Sequence, residues 1–268
     1  MKTTLVIISL AVLEFTVSAE EKSDSTATKE LAGVLVIIDP GHGGADPGTN
    51  IKLKDGKKLC ESAQVYDVAC RLRLLLLAKG ATVKMTIVDP KTGFKSSDDA
   101  VLDQNKGAVF NDTKNDIVFA KEKGLTRRLE IAKVAANLHK EARVVYVSIH
   151  FDSTSKGVAG PHVVSPPSPG SDVLAQAIAK ALRENGRNRT SGNEKIGMVI
   201  RSGDMKNHGM PNLYILRSDK NPIKNRALVE LGNIRNLADV WRIRDWKIRQ
   251  IYAEAVASGI ILITSEKK

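Results

Sequence analysis

Aromatic side chains are scarce in this chain: two Trp, four Tyr and five Phe make up 4% of its 268 residues. Cysteine is scarcer, with only Cys60 and Cys70. Ten residues of helix between them would rise about 15 Å, beyond any disulfide, so a disulfide-stapled scaffold is excluded. Neither cysteine supports a zinc–thiolate site. Cys70 reads as core packing and Cys60, beside Glu61, as a partly exposed thiol. The sequence contains no His-Glu-x-x-His, and no Gly-Lys-Ser/Thr follows the turn Gly44-Ala-Asp-Pro-Gly48. The helix-borne metalloprotease signature and the nucleotide phosphate loop are therefore both missing. No internal repeat is visible. The apolar tail Gly259–Ile263 is far too short to span a bilayer, so no transmembrane segment is expected in the mature chain.

What the chain has in excess is positive charge, with 41 Lys and Arg against 30 Asp and Glu, a net +11. Such a protein adheres to polyanions such as nucleic acid, lipid head groups or an acidic cell wall. The charge is scattered, and no nucleic-acid motif accompanies it; a solvated basic face with some wall adhesion is the expectation. Residues 1–19 read as a signal peptide: Lys2 opens it, Leu5–Leu13 is largely apolar, and Val17-Ser18-Ala19 is a small-residue cleavage site. No cysteine follows to mark a lipoprotein. Export is expected, to a periplasm or, alternatively, to the exterior or the wall. Residues 20–33 read as a short polar linker.

Val34–Ile38 is a run of β-branched and aliphatic residues stopped by Asp39-Pro40, after which glycines flank His42. This predicts a buried strand running into a functional loop. A helix is expected over 61–79, a strand over 82–88, a helix over 125–140 and a second buried strand from Val144 to His150. A proline-bounded edge strand at 160–166 and a helix over 171–184 follow. Strands at 213–216 and 227–230 and a helix over 239–258 complete the pattern. The stretch 91–124 is polar and weakly patterned, a long insertion or loop of the kind that is functional or mobile. Strands alternating with helices predict one α/β domain over 34–265, with a mostly parallel twisted sheet of about six strands flanked by helices on both faces.

Two of these strands lead to histidines, His42 and His150; a third ends in Glu230, and a helix opens with Glu61. Ligand sites in open α/β sheets lie at strand carboxyl ends, where these four groups can converge. Histidine and carboxylate are ligands that zinc accepts, a catalytic zinc keeps one of four positions for water, and a further carboxylate can move the proton. Spacing alone does not separate such a site from ordinary hydrogen-bonding histidines. His139 fits a helix end and His208 a polar loop, while His162 could line the cleft. Asp39 could orient His42 or merely cap the turn. Trp241 and Trp246 do not share a helical face, and at least one reads as packing.

Asp39-Pro-Gly-His-Gly-Gly-Ala-Asp-Pro-Gly48, the helix opening at Glu61, Ser148-Ile-His150 and Leu228-Val-Glu230-Leu-Gly232 with Asn236 together resemble the zinc-dependent N-acetylmuramoyl-L-alanine amidases of the amidase-3 type. Weaker echoes are Leu125-x-x-Arg128-x-x-Ile131-Ala132 and Leu213-Tyr-Ile-Leu-Arg217. The resemblance implies one zinc held by His42, Glu61 and His150, and Glu230 as the catalytic carboxylate. It implies hydrolysis of the amide between N-acetylmuramic acid and the L-Ala of the stem peptide. Asn233, Asp152 and the long 91–124 stretch depart from the family pattern and bear on substrate contacts more than on the metal set. The short interval from Phe151 to Ser171 leaves no room for the inhibitory helix of some relatives, and 91–124 is expected to border or cover the cleft instead.

The competing readings are a zinc peptidase or carboxypeptidase acting on wall peptides, and a non-catalytic wall-binding protein with a decayed site. The second needs a ligand or Glu230 to be missing, and all four groups are present. Expected partners are peptidoglycan or its muropeptide fragments, without nucleic acid, and with an activator protein left open.

Overall fold

The computed structural model describes residues 29–140, 142–166, 168–184, 198–201 (backbone only) and 213–265. The expected leader, most of the linker and His208 lie outside them. Ten strands and five helices are described: β1 Val34–Pro40, β2 Asn50–Lys52, β3 Lys58–Cys60, α1 Glu61–Ala78, β4 Thr82–Met85, β5 Ile87–Val88, β6 Val109–Phe110 and α2 Lys121–Leu138 come first. Then follow β7 Arg143–Asp152, β8 His162–Ser165, α3 Pro169–Glu184, β9 Met198–Arg201, β10 Asn225–Asn233, α4 Leu237–Arg244 and α5 Trp246–Ser265.

Six strands form one sheet in the order β4-β1-β7-β10-β8-β9. All neighbours run parallel except β10 and β8. Side chains alternate across it, as strand geometry demands. Val36 and Ile38 of β1, Val147 and Ile149 of β7 and Val229 of β10 face α1, α3 and α5. Leu35 and Ile37, Tyr146 and Leu228 face α2 and a 3-10 turn at Tyr214–Leu216. Strand β1 is buried along its whole length, which accounts for its unbroken aliphatic run. From β1 the chain moves outward to β4 on one side and later to β7 on the other. The carboxyl ends of β1 and β7 thus flank a topological switch point, the usual ligand crevice of such sheets.

Four expected elements differ. The strand expected at the sheet edge over 160–166 is β8, and it lies between β10 and β9 because the unexpected strand Met198–Arg201 covers its outer side. Leu213–Leu216 is not a strand but leads into the 3-10 turn, whose Ile215 carbonyl accepts from the buried Asn221 side chain. Four apolar residues fit either state, and packing against α2 decides. The strand at 82–88 breaks at Thr86, whose hydroxyl donates to Asp39, and Ile87–Val88 turns away to pair with Val109–Phe110. The C-terminal helix is two helices parted at Asp245, the second absorbing the apolar tail. Cys60 is buried rather than partly exposed, and neither cysteine forms a disulfide.

The 91–124 stretch carries only two strand residues but is fastened at both ends. Asp67 of α1 accepts from Arg71 Nε, Arg249 Nε and the Ser97 amide. Arg249, fully buried, also donates to the Ser97 and Asp99 carbonyls. At the far end, the amides of Gly44 and Ala45 donate to the Asn105 and Val118 carbonyls.

Candidate metal centre

The loop after β1 carries His42 in the left-handed region, at φ 62°. Its ring Nδ1 lies 2.9 Å from Asp46 Oδ2, and its Nε2 lies 3.1 Å from Glu61 Oε1. Glu61 opens α1 and is 3% exposed. The Thr49 amide donates to its Oε2 at 2.9 Å and the Phe151 amide to its Oε1 at 3.2 Å. His150, near the end of β7, places Nδ1 3.2 Å from the same Oε1. One ligand atom from each of His42, Glu61 and His150 falls within 4.8 Å of the others. The three side chains expected to hold a metal are therefore brought together from three elements.

Two glycines make room for the rings. A β-carbon on Gly41 would overlap the His150 imidazole, and one on Gly48 would stand 2.7 Å from both Glu61 Oε2 and His42 Cδ2. The electrostatics point the same way. Burial lowers the His42 pKa, but hydrogen bonds and charge from Asp46 and Glu61 outweigh it and carry it up to about 10. Burial raises the Glu61 carboxyl, and hydrogen bonds from His150 and His42 outweigh that and hold it well below the usual range. The pocket thus favours positive charge. A divalent cation meets that demand while leaving both rings neutral, and the Nδ1–carboxylate contact of His42 is the support a ligating imidazole usually has. The donor set fits zinc.

Glu230 sits beside these groups. It pairs in register with His150 on β7 and, across the antiparallel ladder, with His162 on β8. Directly paired residues share a face, so His150, Glu230 and His162 form a row on the α2 side of the sheet. Oε2 of Glu230 is buried with no hydrogen-bond partner. Burial, then the charges of Glu61 and Asp152, push its carboxyl well above the ordinary glutamate value. Strand β10 does not end there; it runs on to Asn233 through a register shift.

Asp39 does not touch His42. Burial would raise its carboxyl, but Arg128 at 2.7 Å and hydrogen bonds from Thr86 and Tyr146 prevail and hold it lowered. Asp46 takes the orienting role; its place four residues after His42 in a glycine-rich loop was the only available sign. His139 caps α2, its Nδ1 2.9 Å from the Ala135 carbonyl. A cavity of about 60 Å³ opens between His42, His150 and the Phe119–Lys121 end of the 91–124 stretch, so that stretch borders the site. Trp241 is 63% exposed, whereas Trp246 lies 5.6 Å from the Arg71 guanidinium.

The model of the N-acetylmuramoyl-L-alanine amidase family matches residues 36–262. An uncharacterized cell wall amidase of Bacillus anthracis is 30% identical over 240 residues, 86% of this chain and 35% of that protein. The probable cell wall amidase LytH of Staphylococcus aureus is 27% identical over 239 residues, 89% of this chain and 61% of LytH. The chain thus spans less than two thirds of either relative's length. Among solved structures, the catalytic domain of CwlV, an N-acetylmuramoyl-L-alanine amidase from Bacillus (Paenibacillus) polymyxa, superimposes with a TM-score of 0.58. It shares 21% sequence identity, covering 87% of this chain and 99% of that domain, a likeness of fold.

Proposed function

The chain belongs to the N-acetylmuramoyl-L-alanine amidase family, and on that premise we propose that it hydrolyses the amide joining N-acetylmuramic acid to the L-Ala of the peptidoglycan stem peptide. His42, Glu61 and His150 hold one zinc, and Glu230 is the catalytic carboxylate. The observation that carries the reading is the His42–Glu61–His150 cluster beside a buried carboxylate oxygen that has no partner. Zinc bound there supplies a Lewis acid for the amide carbonyl and a water whose pKa falls to roughly 7.

The chain's own groups do the rest. Asp46 fixes the His42 ring, and the Thr49 and Phe151 amides fix the Glu61 carboxylate. Glu230 Oε2 accepts the proton of the attacking water and returns it to the departing amide nitrogen. A carboxyl raised by burial suits both steps, because its proton affinity lies nearer that of the groups it serves. Substrate is either intact wall or its soluble muropeptides. That target lies outside the cytoplasm, so we infer export, with the signal peptide over 1–19 removed. No helix among the described residues is long and apolar enough to cross a membrane.

Mass spectrometry of products from purified peptidoglycan tests the reading, with zinc measured on wild type and Glu230→Gln. Whole stem peptides beginning with L-Ala are expected from wild type. The variant should keep its zinc and lose about 10²–10⁴-fold in rate. Cleavage inside the peptide would instead identify a zinc peptidase, and full activity in Glu230→Gln would remove the carboxylate from the chemistry.

A further inference from the structure

Arg128 reaches the metal loop from the second turn of α2 and is 3% exposed. Its Nη1 donates to Asp39 Oδ1 at 2.7 Å and to the Pro40 carbonyl at 2.6 Å, while Nη2 donates to the His42 carbonyl. Asp39 is in turn held by the Tyr146 hydroxyl at 2.8 Å and the Ser148 hydroxyl at 3.0 Å, both from β7. One guanidinium therefore spans the last residues of β1 and the backbone of the first ligand.

That backbone needs holding. His42 is one of three non-glycine residues at positive φ among the described residues. Its β-carbon disfavours that conformation, which persists only where the surroundings over-determine it. Asp46 fixes the ring, and the Gly41 and Gly43 amides on either side donate to the Ile149 and Asp46 carbonyls. The main-chain carbonyl of His42 accepts from Arg128.

We infer that Arg128 is a positioning residue for the metal: by gripping the Pro40 and His42 carbonyls it sets the direction of the His42 imidazole, and zinc affinity depends on it. The inference rests on the metal site proposed above. Arg128→Lys separates this role from bulk stability. A lysine keeps a cation against Asp39, but its three donors radiate from one nitrogen and cannot reach both ends of the loop as the two guanidinium nitrogens do. Arg128→Gln is the companion variant, removing the charge as well.

The experiment is a competition titration of zinc against a chelator on wild type and both variants, with the absorption spectrum of the cobalt-substituted proteins and their thermal midpoints. Loss of a group that orients a ligand weakens metal binding by about 10–100-fold. Arg128→Lys should weaken zinc by at least tenfold and alter the cobalt spectrum while its metal-free midpoint stays near wild type. A folded Arg128→Lys or Arg128→Gln that binds zinc within twofold of wild type, with an unchanged cobalt spectrum, overturns the inference alone. A wild type without measurable zinc affinity overturns the metal-site reading, and the inference with it. None of these readouts requires substrate.

Discussion

Glu230 is costly where it stands, because its buried oxygen has no hydrogen-bond partner and the charges of Glu61 and Asp152 add to the cost of burial. Its folded-state pKa lies above the unfolded value of roughly 4.3, so between the two the folded chain binds more protons. The contribution of this group to stability is complete below the unfolded pKa and is lost as pH rises toward the folded one. In metal-free protein, Glu230→Gln should therefore unfold at the same temperature as wild type in acid and at a higher one at neutral pH. Thermal melts across that range check it; equal midpoints throughout would mean that the carboxylate is solvated. Asp39 shows the opposite sign. Held by Arg128, Thr86 and Tyr146, its carboxyl is lowered, and its stabilisation fades only as pH falls through the folded value. Asp39 is accordingly kept charged for structure, whereas Glu230 is kept reluctant to charge.

Among the elements, the 91–124 stretch is a fixed wall and not a free flap. Its first part hangs on the Asp67, Arg71 and Arg249 cluster, and its last part closes on the metal loop. Arg249→Met should destabilise the protein by about 3–5 kcal/mol, the usual result of breaking a buried ion pair from one side. A urea titration measures it, and a change under about 1 kcal/mol would show the cluster to be dispensable. The place of 91–124 beside the cleft was expected from the sequence. Its anchoring was not legible there, because the partners Asp67, Ser97 and Arg249 stand far apart along the chain with no periodic signal. The elements with a strong period were legible: the run into His42, the run into His150 and the helix opening at Glu61 lie where the pattern put them. Leu213–Leu216 was misread because four apolar residues do not distinguish a strand from a tight turn. Asp46 was overlooked because hydrogen-bonding roles within a loop depend on backbone turns that composition does not encode.

The whole molecule carries a net charge of +11, large enough to steer it toward an acidic surface. Sedimentation with purified wall should fall steeply between about 0.01 M and about 1 M salt, over which the screening length shrinks from roughly 30 Å to roughly 3 Å. Salt-independent sedimentation would mean that wall contact is made by the cleft rather than by the charge. The sheet order has another outcome. Strand β10, which brings Glu230, is the last of the described strands along the chain, yet it takes its place between β7 and β8. Until it arrives, Glu230 is not beside His42, Glu61 and His150, and β8 and β9 are not joined to β4, β1 and β7. On the function proposed above, a chain lengthening from its N-terminus therefore lacks its catalytic carboxylate until the last of the described strands docks, a safety catch set by the order of the strands alone.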